Sequence, residues 1–278
     1  MTDLQRAHAF LATFTRRQAE RVLDLPGAFA ALDDTFRHSH GNNLVLVTGT
    51  PSPDPTALPA FVDEAMSHLP FRIVSIPDAT TAAACAGPLL EAGYTRSTVA
   101  VMRHHGPVPA EGGAREVGLP ALREPMAETW RHFLPNASDE VIRDLVERRA
   151  VRPRGADDVR FLASHDAFGQ VASWADLYLD PASGIAQIED LVTAVPYLKQ
   201  GHAGVVLDTA LRIAAAEGCP TVFLTALKDD WPIEWYARRG FESIGEITCF
   251  ELLQTEAGQF PVRKQVFDGR TPADDTQQ

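Results

Sequence analysis

The segment 198-LKQGHAGVVLDTALRIAAAEG-218 joins a glycine-centred turn directly to a helix. From Ala203 the apolar residues fall at 203, 206, 207, 210, 211 and 214, the spacing of a helix with one face laid on a sheet. A strand, a turn and a helix N-terminus in succession gather backbone N–H groups at one point, with the positive end of the helix dipole behind them. Gly201, Ala203 and Gly204 carry little or no side chain, so a ligand can approach the main chain closely. That is chemistry suited to a pyrophosphate. The side chains suit it less, because Leu198 and Gln200 stand where a phosphate loop is expected to be basic. No G-x-x-x-x-G-K-[ST] occurs here or in TGTPSPD at 48–54, and GHAGVV departs from G-x-G-x-x-G. Periodicity alone is equally met by a Gly201 that merely opens the helix.

Other chemistry-bearing residues are sparser. Glu189 and Asp190 are adjacent on an expected strand, so alternation sends them to opposite faces and only one points to a given cleft. Burial beside apolar strands would raise the pKa of that carboxylate. The histidines of HSH (38–40) and HH (104–105) lack ligand spacing, H-E-x-x-H is absent, and no metal site is expected. Cys85, Cys219 and Cys249 are odd in number and far apart, as in incidental thiols of a reducing compartment. Trp174 reads as core or pocket wall, Trp231 and Trp235 as flanks of a cleft or packing of a short helix. The run RDLVERRAVRPR (143–154) reads as a solvated helix end.

The elements that position these residues alternate. A helix is expected over 4–23, a strand over 42–48, a helix behind an Asp54 cap over 54–69, a strand over 71–76, a helix over 79–93 and a strand over 95–104. GPVPAEGG (106–113) is the best linker. A short strand REVGL, helices across 121–133 and 137–150, and strands over 159–166, 168–180 and 185–195 follow. The quoted turn and helix come next, then a strand over 220–227, a helix near 232–240 and a strand over 241–253. The two halves end alike, in LLEAGYTRSTVAVM and YARRGFESIGEITCF, which suggests two copies of one fold. The units are drawn at 1–105 and 114–256, with a C-terminal extension over 257–278 whose polar end is expected to be disordered.

The chain has 278 residues, 45% hydrophobic and 22% charged, ordinary for one large or two small globular domains. A net charge of -12 argues against nucleic acid or an anionic membrane as partner and is compatible with a cationic substrate such as an amine. The N-terminus lacks the apolar run of a signal peptide and no run approaches a bilayer span, so a cytoplasmic location is expected.

Over 113–253 the order of elements resembles the GNAT acetyltransferase superfamily: strand, two helices, three antiparallel strands, pyrophosphate turn with helix, strand, helix, strand. The family's loop motif is Arg/Gln-x-x-Gly-x-Gly/Ala; 198-LKQGHA-203 meets it at Gly201 and Ala203 and departs at Leu198. Similarly, 229-DDWPIEWYARRGFESIG-245 looks like the family's late segment, with Tyr236 shortly before Gly240-Phe241. The first unit, without such a turn, resembles a degenerate copy. The resemblance implies an α/β (α+β) fold of two GNAT-like units, each with a mixed, mostly antiparallel central sheet flanked by helices. It implies acetyl-CoA as co-substrate and direct attack by the amine of a small molecule on the thioester.

The site residues are carried over on the same basis. Leu191, Val192 and Thr193 would meet the pantetheine arm, and Leu198, Lys199, Gln200, Gly201, His202, Ala203 and Gly204 the pyrophosphate. Asp229 would cap the late helix and touch the cofactor, first of all as part of a cap followed by proline. Glu189 would be the base, its plain alternative an ion pair with Arg160. Tyr236 would lie beside the sulfur and protonate the thiolate, its plain alternative a tyrosine packed under the last helix. Alternatives for the whole are a longer acyl-CoA or carrier-bound acyl donor, or a non-catalytic CoA or ligand sensor. A homodimer is compatible with the sequence.

Overall fold

The computed structural model describes residues 1–49 and 54–253. The expected disorder of the C-terminal end lies outside the described residues.

The first half opens with α1 (Asp3–Gln18), closed by a capping box: Gln5 N donates to Thr2 Oγ1 at 3.2 Å and Thr2 N to Gln5 Oε1 at 2.8 Å. The chain then turns extended, and a hairpin of β1 (Arg21–Leu25) and β2 (Ala28–Leu32) stands where the helix was expected to continue. Gly27, at φ 69°, makes its turn. AFAAL is buried at every position, so the polar alternation that marks a strand is missing. Next come β3 (Leu44–Val47), α2 (Leu58–Met66), β4 (Phe71–Ile76), α3 (Ala79–Glu91) and β5 (Thr95–His104). Asp54 does not cap α2; its Oδ1 takes Thr56 N and Oγ1, each at 2.9 Å, in a local turn before it.

The second half comprises β6 (Arg115–Val117), α4 (Leu119–Phe133), α5 (Asp139–Glu147), a 3-10 turn over Arg148–Arg154, β7 (Asp158–His165), β8 (Val171–Asp180) and β9 (Ile185–Thr193). It is completed by α6 (His202–Ala216), β10 (Thr221–Leu227), α7 (Pro232–Ala237) and β11 (Phe241–Leu253). The connection between the halves is pinned to α6, since Gly113 N and Ala114 N both donate to Thr209 Oγ1 at 3.0 Å.

Among the described residues all strands join one eleven-stranded sheet, ordered β1-β2-β3-β4-β11-β5-β10-β9-β8-β7-β6. Neighbours are antiparallel except β3–β4 and β9–β10. The sheet is thus mixed, mostly antiparallel and flanked by helices, as expected. Leaving aside the edge strand β6, the order reads alike from both ends once the halves are matched. Each half runs through three antiparallel strands, crosses by a helix to a parallel fourth, and sends its last strand into the other half. β11 pairs with β4 (Thr248 opposite Ile76) and β5 with β10 (Phe223 opposite Arg103), while β5 and β11 pair with each other along their lengths.

On one face of the second half, Val206, Leu207, Ala210, Leu211 and Ala214 of α6 pack on Leu177, Leu179, Ala186 and Ile188. On the other, Phe10 and Phe14 of α1 pack on Tyr178, Phe223, Val99 and Ile247. Beside them, α4 and α5 cover Trp174 and Ala163. Burying each of these large apolar side chains contributes about 1.5–3 kcal/mol, so α1 fastens the first half to the strands of the second.

Candidate active site

The two parallel strands β9 and β10 pair only from Ile185–Gln187 to Thr221–Phe223, although β9 runs on to Thr193 and β10 to Leu227. Beyond Gln187 no ladder joins them, and a gap opens between them. Two features hold it open. β5 occupies the far edge of β10 through Leu227. β9 carries a bulge: its register against β8 passes from Asp176–Glu189 to Trp174–Val192, and Asp190 takes φ 48°. Leu191 is buried against the α6 side, Val192 lies on the α4–α5 side, and Thr193 Oγ1 donates to Ser173 Oγ at 3.1 Å.

The bulge overturns the expectation that Glu189 and Asp190 face opposite ways. Glu189 stands directly opposite Asp176, and the Asp190 carboxylate shares the arginines that bind Asp176, so all three gather on one face. Arg148, Arg149 and Arg152 reach Asp190 Oδ2 at 2.8, 3.0 and 2.7 Å. Arg149 Nε also donates to Asp176 Oδ1 at 3.1 Å, and Arg152 bonds Asp176 as well. These arginines are buried, so the run 143–154 is not a solvated helix end. Burial would raise Asp190, but Arg148, Arg152 and Arg149 together hold it far below the carboxylate range.

Glu189 has a different environment. Its one hydrogen bond comes from Gln187 Nε2 at 2.6 Å. Arg160, its expected partner on the plain reading, is engaged instead by Asp158 at 2.7 Å and Glu217 at 2.6 Å. Burial, helped by the Asp190 charge and opposed by Arg152 and Arg148, pushes the Glu189 carboxyl up to about 7.

Tyr236 projects from α7, half-buried, its ring 5.1 Å from Trp235 and 5.7 Å from Phe241. Burial, and then the charges of Glu189 and Asp190, raise its phenol well above the ordinary value. The phenol therefore stays protonated at neutral pH and feels the carboxylates of β9. Asp229 is exposed and caps nothing; it is Asp230 Oδ1 that accepts Trp231 N, at 2.8 Å.

The glycine turn lies at the end of β9. Leu198 is exposed and extended, Lys199 (φ 61°) and Gly201 (φ 89°) are left-handed, and α6 begins at His202. The first α6 amide with a main-chain acceptor is Val205, which donates to Gly201 O at 3.3 Å; those of 199–204 have none among the described residues. Such alternation of handedness turns successive N–H groups toward one concavity, which favours an anion. Nothing lies within 4 Å of where a Gly201 Cβ would stand. The turn is anchored by Tyr197 OH donating to Asp166 Oδ2 at 2.9 Å and by His202 Nδ1 at 3.3 Å from Ser164 Oγ. Gln200 Nε2 folds back onto Pro196 O at 2.9 Å. Ala203 is half-buried and Gly204 buried.

Residues 122–241 match the acetyltransferase (GNAT) family. This part of the chain is a GNAT domain, and the protein is an acyltransferase. No curated protein matches it. Among solved structures, a GCN5-related N-acetyltransferase from Kribbella flavida is similar at 16% identity with a TM-score of 0.60, over 90% of this chain and 96% of that one. A putative GNAT-family acetyltransferase from Novosphingobium aromaticivorans is similar at 15% identity and 0.54, over 87% and 95%. A functionally unknown conserved protein from Staphylococcus epidermidis gives 12% and 0.56, over 86% and 96%. These likenesses run through both halves, so the fold they share includes the strands outside the GNAT match. Among the described residues no helix is long and apolar enough to cross a membrane.

Asp176 and the buried arginines were not among the residues singled out from the sequence, as the turn, Glu189 and Tyr236 were. Their one sequence signal is the R-R-x-x-R spacing at 148–152, which puts these side chains on neighbouring turns of a short helix.

Proposed function

We propose that the protein transfers an acetyl group from acetyl-CoA to the amine of a small molecule. The observation that carries this reading is a turn with unspent amides (199–204) beyond the end of the strand that bears a carboxyl raised by burial (Glu189), a carboxyl within electrostatic reach of a protonated phenol (Tyr236). The turn suits a diphosphate, having donors without acceptors, two left-handed residues and open space at Gly201. The edge of β9 over 191–193 that faces the gap is free of a neighbouring strand and suits an amide-bearing arm. CoA would supply the activated thioester.

Glu189 takes the proton that an ammonium must lose before its nitrogen can attack, directly or through a water. The new C–N bond forms as the C–S bond breaks, the departing sulfur takes its proton from Tyr236, and the second proton shed by the attacking nitrogen restores the phenol. A general base pushed up to about 7 is matched to neutral pH. The first half, outside the family match, has no counterpart of this turn among its described residues and is read as a degenerate copy that contributes β5.

Isothermal calorimetry with CoA tests the reading, and a Kd in the micromolar range is expected. No binding at millimolar CoA would leave a sensor of another ligand, the alternative that the uncharged, exposed Leu198 favours. Release of free thiol in a screen of amines, amino acids, aminoglycosides and polyamines would then name the acceptor.

A further inference from the structure

Arg239, just beyond α7, lies against the opening turn of α6. Its guanidinium packs on Gly204 so closely that a Cβ there would stand 2.6 Å from Nη2 and 2.7 Å from Nη1. Gly204 lies in the first turn of α6, so the fork sits beside the end of the helix whose amides are bare. The Trp235 ring backs it, with the guanidinium carbon 5.0 Å from the ring centre. The Arg239 carbonyl is held by His104 of β5. Gly204 has no positive φ that would require glycine, and glycine inside a helix costs about 1 kcal/mol relative to alanine. The room it leaves for Arg239 is the feature that accounts for it.

The fork makes no side-chain hydrogen bond among the described residues. Its nearest anion is Asp208 at 3.8 Å, with both side chains 37% exposed. A guanidinium offers five donors in a fork that matches phosphate oxygens in pairs. The turn itself supplies one cation, the exposed Lys199, since Leu198 is apolar and Gln200 is folded back.

We propose that Arg239 is the forked phosphate-binding cation of this site, beside the single charge of Lys199: it moves from Asp208 to the CoA diphosphate seated on the amides of 199–204. This rests on the turn being the CoA site.

Calorimetry with CoA and with dephospho-CoA, which lacks the ribose 3′-phosphate, tests it on the wild type, Arg239→Gln, Arg239→Lys and Asp208→Asn. Arg239→Gln is expected to weaken both ligands by about tenfold or more, and Arg239→Lys, which keeps charge but loses the fork, by less. Asp208→Asn should bind CoA at least as tightly as the wild type. Unliganded Arg239→Gln should melt within a few degrees of the wild type, because the fork loses only its stacking on Trp235 and a long, part-exposed ion pair. An Arg239→Gln variant binding CoA within about twofold of the wild type would overturn the assignment. So would a loss seen with CoA and absent with dephospho-CoA, which would move Arg239 to the ribose phosphate. A wild type that binds neither ligand would defeat the underlying reading of the turn as well.

Discussion

Glu189 and Asp190 are chain neighbours whose carboxyls are shifted in opposite directions. Asp190 is the common acceptor of Arg148, Arg149 and Arg152, whereas Glu189 has only the Gln187 amide. If Glu189 is the base, kcat/KM falls about tenfold per pH unit below about 7. Glu189→Gln should abolish that acid limb along with most of the turnover; an unchanged pH–rate profile would remove Glu189 from the mechanism. The same shift has a stability consequence. The folded chain holds the Glu189 proton more tightly than the unfolded chain, so this contribution is full below the ordinary glutamate range and is lost as pH rises through about 7. Melting curves between about pH 4.5 and 7 should show the wild type losing stability relative to Glu189→Gln, with little further change above pH 7. Tyr236→Phe should lower kcat by about 10²–10⁴ with little change in CoA affinity, and unaltered turnover would refute its role as acid.

At the scale of elements, the bulge in β9 and the turn before α6 do the positioning. Asp190→Asn removes the charge that raises Glu189 and frees Arg148 and Arg152 to lower it, so the acid limb should move to lower pH. It should also cost about 3–5 kcal/mol, because the buried arginines lose a shared partner. An acid limb that stayed in place, read from pH–rate profiles, would show that Asp190 does not set Glu189. The turn was legible in the sequence because its signals are local: Gly201, then apolar residues at helical spacing from Ala203. The bulge was not legible, because strict alternation is the expectation for any strand and the residue that breaks it is an aspartate in a left-handed conformation. The buried arginines were hidden because Asp176 and Asp190 lie far along the chain from 148–152 and come together only through the sheet. The β1–β2 hairpin was hidden because AFAAL, covered at every position, carries no period of two.

At the scale of the molecule, the exchange of β5 and β11 makes the halves interdependent. The similar endings around Thr95–His104 and Phe241–Leu253 suggested a repeated fold, but strand patterning does not say which neighbour a strand will choose, and the exchange emerged only in the sheet order. Without β5, the far edge of β10 is bare and the gap loses one wall. A fragment of 106–278 should therefore fail to bind CoA alone and regain binding when mixed with 1–105; full affinity in the isolated fragment would contradict the dependence. The central claim is that main-chain amides of one turn seat the nucleotide diphosphate. Hydrogen–deuterium exchange of the whole protein with and without saturating CoA tests it most directly. Strong slowing is expected at residues 199–204; exchange there that is unchanged while CoA is bound would rule out the turn as the diphosphate seat.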